Sequence, residues 1–128
     1  MITAPIAQRV LTVADDPRRS ITISIGPPER DPDPAGDWIC QFYIEGIEDA
    51  GPHKVHGADS LQSLLLAVED VRRKLDISGL VLAWQNNEPS NFCIPRMVPY
   101  LFGGKFARDI EQYIDERIEA FGETLASG

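Results

Sequence analysis

Ile21, Ile23 and Ile25 alternate with Thr22 and Ser24. A helix would scatter those three isoleucines around its circumference, whereas a strand places them on one face, so the pattern demands a half-buried β-strand. The preceding segment, 7–14, is also rich in Val, Leu and Thr. Asp15, Asp16, Pro17 and Arg18 between the two segments are turn residues, and together these features predict a β-hairpin of 7–14 and 19–26. The same period returns at 38–45, where Trp38, Cys40, Phe42 and Ile44 form a mostly apolar face against Ile39, Gln41, Tyr43 and Glu45. A turn over 46–52 leads to a short fourth strand at 53–57. Between the second and third strands, 27–36 holds four prolines and four charged residues in ten, which predicts an exposed, extended loop.

The period then changes. Asp59 with Gln62 three residues later forms a capping-box variant, and Leu61, Leu64, Leu65, Val68, Val71 and Leu75 recur at helical spacing, predicting a helix that ends near Ser78-Gly79. The apolar run 80–84 has the length of a strand, with a buried turn as the alternative. The segment 85–99, broken by Pro89, Pro95 and Pro99, is predicted as a long irregular loop. A last helix starts near Gly104-Lys105, with Phe106, Ile110, Tyr113, Ile114, Ile118, Phe121 and Leu125 on one face, expected to be core. Strands first and helices after give an α+β fold: an antiparallel sheet of four or five strands with two helices packed on one face, in a single domain over 1–128.

The chain has 128 residues, 43% of them hydrophobic, and a formal net charge of −8. That length and composition suffice for a core without staples. Twenty acidic against twelve basic residues argue against a nucleic acid or an anionic membrane as partner, since both select a basic footprint. Residues 1–9 lack a basic run followed by a long apolar stretch, and the longest apolar run, 64–68, is far too short to span a bilayer, so a cytoplasmic location is expected. Cys40 and Cys93, without CxxC spacing, read as two reduced thiols.

Several chemistries find no support in the residue pattern. His53 and His56 are three apart in a predicted strand and point to opposite faces, so they cannot converge on a nucleophile or, with the cysteines, on zinc. Gly103-Gly104-Lys105 precedes a helix but lacks the upstream glycine of a phosphate loop, and Lys105 is followed by Phe106. Asp31, Asp33 and Asp37 are separated by prolines that prevent a tight calcium loop. Glu48-Asp49 and Asp115-Glu116 read as solvated carboxylates, not as the perturbed groups of a cleft. Neither a metal nor a cofactor is expected, and the chain is expected not to be an enzyme.

What remains is a binding surface. The loop after Trp84 carries Asn86, Glu88, Phe92 and Arg96, and long loops of this kind are usually functional. The alternative is that Phe92 and Ile94 fold back as a lid on the core. The acidic side chains Asp109, Glu111, Asp115 and Glu116 of the last helix complete the expected partner-binding set.

Several segments resemble a family of small bacterial proteins grouped as a domain of unknown function. They are Ile25-Gly26-Pro27-Pro28, Asp37-Trp38-Ile39-Cys40 with Tyr43-Ile44-Glu45-Gly46, the stretch 57–69 (GADSLQSLLLAVE), and Glu88-Pro89 with Phe92 and Pro95-Arg96. The resemblance spans nearly the whole chain and supplies no catalytic residues. In size and charge the chain also resembles immunity proteins, which implies a non-enzymatic, protein-binding role: masking the active site of a basic bacterial toxin. A small-molecule or regulatory module with a pocket near 85–99 is the alternative. Homodimerisation through a strand edge or the last helix is compatible with either.

Overall fold

The computed structural model describes residues 4–32, 37–85, 94–99 and 102–127. They form an α+β fold: an antiparallel sheet with two helices, in the order β1 (Ala7–Val13), β2 (Asp16–Ile25), β3 (Glu29–Arg30), β4 (Trp38–Glu45), β5 (His53–Gly57), α1 (Ser60–Ser78), β6 (Leu82–Ala83) and α2 (Gly104–Ser127). The chain divides into two compact units, Met1–Arg96 and Met97–Gly128.

In the first unit, β1 and β2 form the expected hairpin, Ala7 facing Ile25 and Leu11 facing Ile21. Its tip is tighter than the turn residues suggest, because Val13 already pairs with Asp16. The register breaks between Thr12 and Val13, and the residues looped out of the ladder on β2 include Pro17, which has no N–H to contribute. β2 pairs with β4, Ile25 opposite Phe42 and Thr22 opposite Glu45.

The proline-rich segment interrupts this ladder without ending it. Beyond Gly26, whose N–H reaches the Gln41 carbonyl at 2.8 Å, Glu29 and Arg30 pair with Ile39 and Trp38 as β3. Since β5 occupies the other edge of β4 from Trp38 to Phe42, β3 continues β2 along the same edge, displaced by one residue at Gly26-Pro27-Pro28. Part of the expected loop is therefore sheet. β6 adds to the outer side of β1, Leu82 opposite Val13 and Ala83 opposite Thr12, which makes the 80–84 run a strand of only two residues.

One face of the sheet carries the core. Leu11, Val13, Ile21, Ile23, Cys40, Phe42 and Ile44 are buried, joined from α1 by Ala67, Val71 and Leu75 and from the chain beyond by Leu82 and Ile94. Each fully buried side chain of this size contributes about 1.5–3 kcal/mol. The inward face predicted for β4 is the one observed.

α1 packs on β4 and β5. Its ends follow the sequence: Asp59 Oδ1 accepts the Gln62 N–H at 2.7 Å, and Gln62 Oε1 accepts the Ala58 N–H at 2.7 Å. Gly79 closes the helix in the left-handed region, φ 71°, where an L side chain would be strained. The face is rotated from the expected one. Ser63, Ala67, Val71 and Leu75 are the buried positions, whereas Leu61 and Leu65 are 61% and 41% exposed. Gly57 is the reason: a Cβ there would lie 2.8 Å from Ser63 Cα, so helix and strand approach too closely for leucine, and small residues take the contact.

In the second unit, α2 runs as predicted, but its apolar face, expected to be core, is largely exposed. Tyr113, Ile118, Phe121 and Leu125 are each more than 60% exposed, and Ala107 is the one buried residue of the helix.

Candidate functional site

Trp84 and Ile94, which flank residues 86–93, both pack on the first unit's core. Trp84 is half-buried against the core cluster, and the Arg9 guanidinium lies over its ring at 3.9 Å, an arrangement favoured by the ring quadrupole. Ile94, at the far end, is 7% exposed and belongs to the core. For Ile94 the lid alternative is therefore the observed one. Asn86, Glu88 and Phe92 lie outside the described residues, and Arg96 is exposed. The sequence reading missed Arg9. Its place in β1, two residues before Leu11 and four before Val13, was the available signal, because alternation turns it inward.

The two histidines sit on separate faces as expected, each beside its own carboxylate. His53 packs its ring against Phe42 at 4.9 Å and lies 3.5 Å from Asp49, while His56 lies 3.6 Å from Asp31. Asp49 also accepts a hydrogen bond from Lys74 Nζ at 2.9 Å. That bond, helped by the charges of His53 and Lys74, holds the Asp49 carboxyl below its ordinary value against a smaller opposing effect of desolvation. The pairing spans 25 positions, so no local pattern could disclose it.

Lys74 and Asp49 border a groove of about 400 Å³, lined also by Arg19, Ile47, Ile77 and Leu80. Arg19 donates to the Gly46 carbonyl at 2.9 Å. Ser78 Oγ donates to the Leu75 carbonyl at 2.6 Å, which leaves it bound to a helix end and not to a base. An ionised Asp49 is a weak proton acceptor at neutral pH. Burial pushes the Cys40 thiol up, and its Sγ donates to the Gly26 carbonyl at 3.5 Å, so it is a packed thiol and a poor nucleophile. Among the described residues no three His, Cys, Asp or Glu converge as a metal site. No helix among them is long and apolar enough to cross a membrane.

On α2, the acids Asp109, Glu111, Asp115 and Glu116 are all exposed. At 100° per residue, Ile110, Ile114, Ile118, Phe121 and Leu125 fall within a narrow stripe, while Asp109, Glu116 and Glu123 project from the opposite side. Phe102 and Phe106 meet edge to face at 5.4 Å beside a shallow hollow of about 540 Å³ that also involves Lys105 and Arg108. The arrangement is a strongly amphipathic helix whose apolar stripe is largely exposed. Largely exposed apolar stripes of this length are uncommon on monomeric proteins and mark interaction surfaces.

A family model described as a domain of unknown function, DUF6968, matches residues 7–96. Its match ends where the first unit ends. No curated protein and no solved structure matches the chain.

Proposed function

We propose that this chain, which belongs to the DUF6968 family, is a non-enzymatic protein-binding domain. The observation that carries the reading is the exposed apolar stripe of α2 within an acidic helix. Phe and Ile in such a stripe are anchors for a partner, and the acids on the opposite side of the helix favour one of opposite charge there. Trp84 and Arg96 belong to the proposed surface on the first unit. In its finer form the proposal is an immunity protein, cytoplasmic and bacterial, that masks the active site of a basic toxin. That form rests on the small size and the net charge of −8.

The test is a titration of the purified chain with the catalytic domain of a basic toxin encoded beside its gene. The expected result is a complex whose affinity falls as salt is raised, together with loss of toxin activity. Absence of any complex at micromolar concentration would refute the immunity reading. The alternative is a small-molecule or regulatory module; the groove beside Lys74, which lies away from 85–99, is the feature that supports it. A thermal shift on screening small carboxylates, abolished by Lys74→Ala, would favour it.

A further inference from the structure

We infer that the apolar stripe of α2 binds a second copy of this chain, so that the protein is a dimer joined through α2 with its acidic ridge turned outward. The inference rests on the protein-binding reading of the same helix and names the occupant of its apolar side.

Area comes first. Phe106, Tyr113, Ile114, Ile118, Phe121 and Leu125 are between 40% and 67% exposed. Aromatic side chains can each bury about 150–250 Å², so at these exposures the three aromatics with the three smaller aliphatic side chains present on the order of 500 Å² of apolar surface. A stable interface buries roughly 800 Å² per partner. One helix face thus supplies more than half of the requirement when set against an equal face, and a small ligand would leave most of it wet.

The chemistry of the stripe points the same way. It is continuous over about five turns, whereas a basic partner would be met by acids, and the acids stand largely on the other side. Asp109, Glu116 and Glu123 are displaced by roughly 140–180° from Ile114 at 100° per residue. A stripe of this kind is self-complementary, because a two-fold axis sets the same patch against itself. Its edges also suit an antiparallel pair. Centred near Ile114, such a pair brings Ile110 level with Ile118 of the other copy, Phe106 level with Gly122 and Glu111 level with Arg117. A parallel pair would instead set each of these charges beside its own like. Gly122 has open space where a side chain would stand, room for the facing ring. Antiparallel helices also oppose their dipoles favourably.

Location adds a third argument. The stripe lies wholly in Met97–Gly128, beyond the matched residues 7–96, while the core of the first unit is built without it. α2 is thus free to carry assembly without altering the family domain.

The experiment is light scattering on the full chain at tens of micromolar, in low and high salt, with hydrogen exchange on α2 and the double variant Ile114→Asp/Ile118→Asp. The expected result is a mass of twice one chain. Dimerisation should strengthen with salt, because two chains of −8 repel and screening relieves that; a complex with a basic partner would weaken instead. The double variant should be monomeric, at least tenfold weaker in association, with an unchanged exchange pattern in β1, β2 and β4. A wild-type monomer whose α2 amides exchange freely overturns the second copy as occupant and leaves the protein-binding reading standing. A wild-type monomer with protected α2 amides overturns both, since the stripe is then covered within its own chain. A dimer that survives the double variant also overturns the inference.

Discussion

Replacing Gly57 by alanine tests the contact that sets the position of α1. The added Cβ would stand 2.8 Å from Ser63 Cα and 3.0 Å from the Gln62 carbonyl carbon, where ordinary contact begins near 3.4 Å. Both obstacles are backbone, so no rotamer change relieves them. The first turn of α1 must lift from β5 by roughly half an ångström or more, and a gap of that size forfeits about a quarter to a half of each dispersion contact it opens. Ala67, Val71 and Leu75 share the affected face. Overpacking of this kind costs about 1–3 kcal/mol, and a rigid obstacle places it at about 2–3 kcal/mol. With an m-value of about 2 kcal/mol/M, the middle of the range for small proteins, the urea midpoint should fall by about 1–1.5 M. Gly79→Ala is the control: it has open space around a Cβ but φ +71°, and should cost only about 1 kcal/mol from left-handed strain. Combining Gly57→Ala with Ser63→Gly should give no rescue, because the obstacle is not the serine side chain. A Gly57→Ala midpoint within 0.3 M of wild type, or clear rescue by Ser63→Gly, would refute the reasoning.

Asp59→Ala removes the hydrogen bond to the Gln62 N–H and should cost about 1 kcal/mol in chemical denaturation, while Asp59→Asn should retain most of the stability. Because Asp49 is held below its ordinary value chiefly by the Lys74 hydrogen bond, folding favours its ionised form. That contribution is complete above the unfolded carboxylate value and is lost as pH falls through the folded one. Carboxyl NMR titration should show the Asp49 midpoint rise in Lys74→Ala; an unchanged midpoint would contradict the assignment. In a Cys93→Ser background, Cys40 should resist iodoacetamide at pH 8 until denaturant is added, because burial raises its pKa; labelling at the rate of a free thiol under native conditions would show the strand to be open.

Where a side chain's burial follows from its own neighbours in sequence, the fold was legible. The isoleucines of β2, the alternation of β4 and the Asp59–Gln62 cap each specify their element locally, and together they led to the α+β sheet with two helices. What was not legible depended on distant partners. Leu61 and Leu65 have ideal helical spacing, yet the surface α1 meets includes Gly57, whose proximity favours Ser63 and Ala67. Nothing in the order of residues around Asp49 announces Lys74. For the candidate site, amphipathicity marked the apolar stripe of α2, but an apolar stripe reads the same in sequence whether a sheet or another molecule is to cover it. That is why Ile118 and Phe121 were expected as core and are exposed.

Two ladder pairs, Thr12 with Ala83 and Val13 with Leu82, join β6 to a sheet whose other strands come from the first 57 residues. Such a short ladder, closed across some 70 positions, carries a large loop entropy for few bonds. It should form late in folding and open first in the native state. Opening it would release Leu82 and, with it, the tether of Trp84 over Arg9, while the β1–β2 hairpin and the β4–β5–α1 segment keep their local contacts. Amides of Val81 to Ala83 should then exchange by a partial opening well below the global unfolding free energy. Loss of this edge would leave β1 as the sheet margin without loss of the remaining ladders, so the outermost strand is the part of the sheet most readily exchanged.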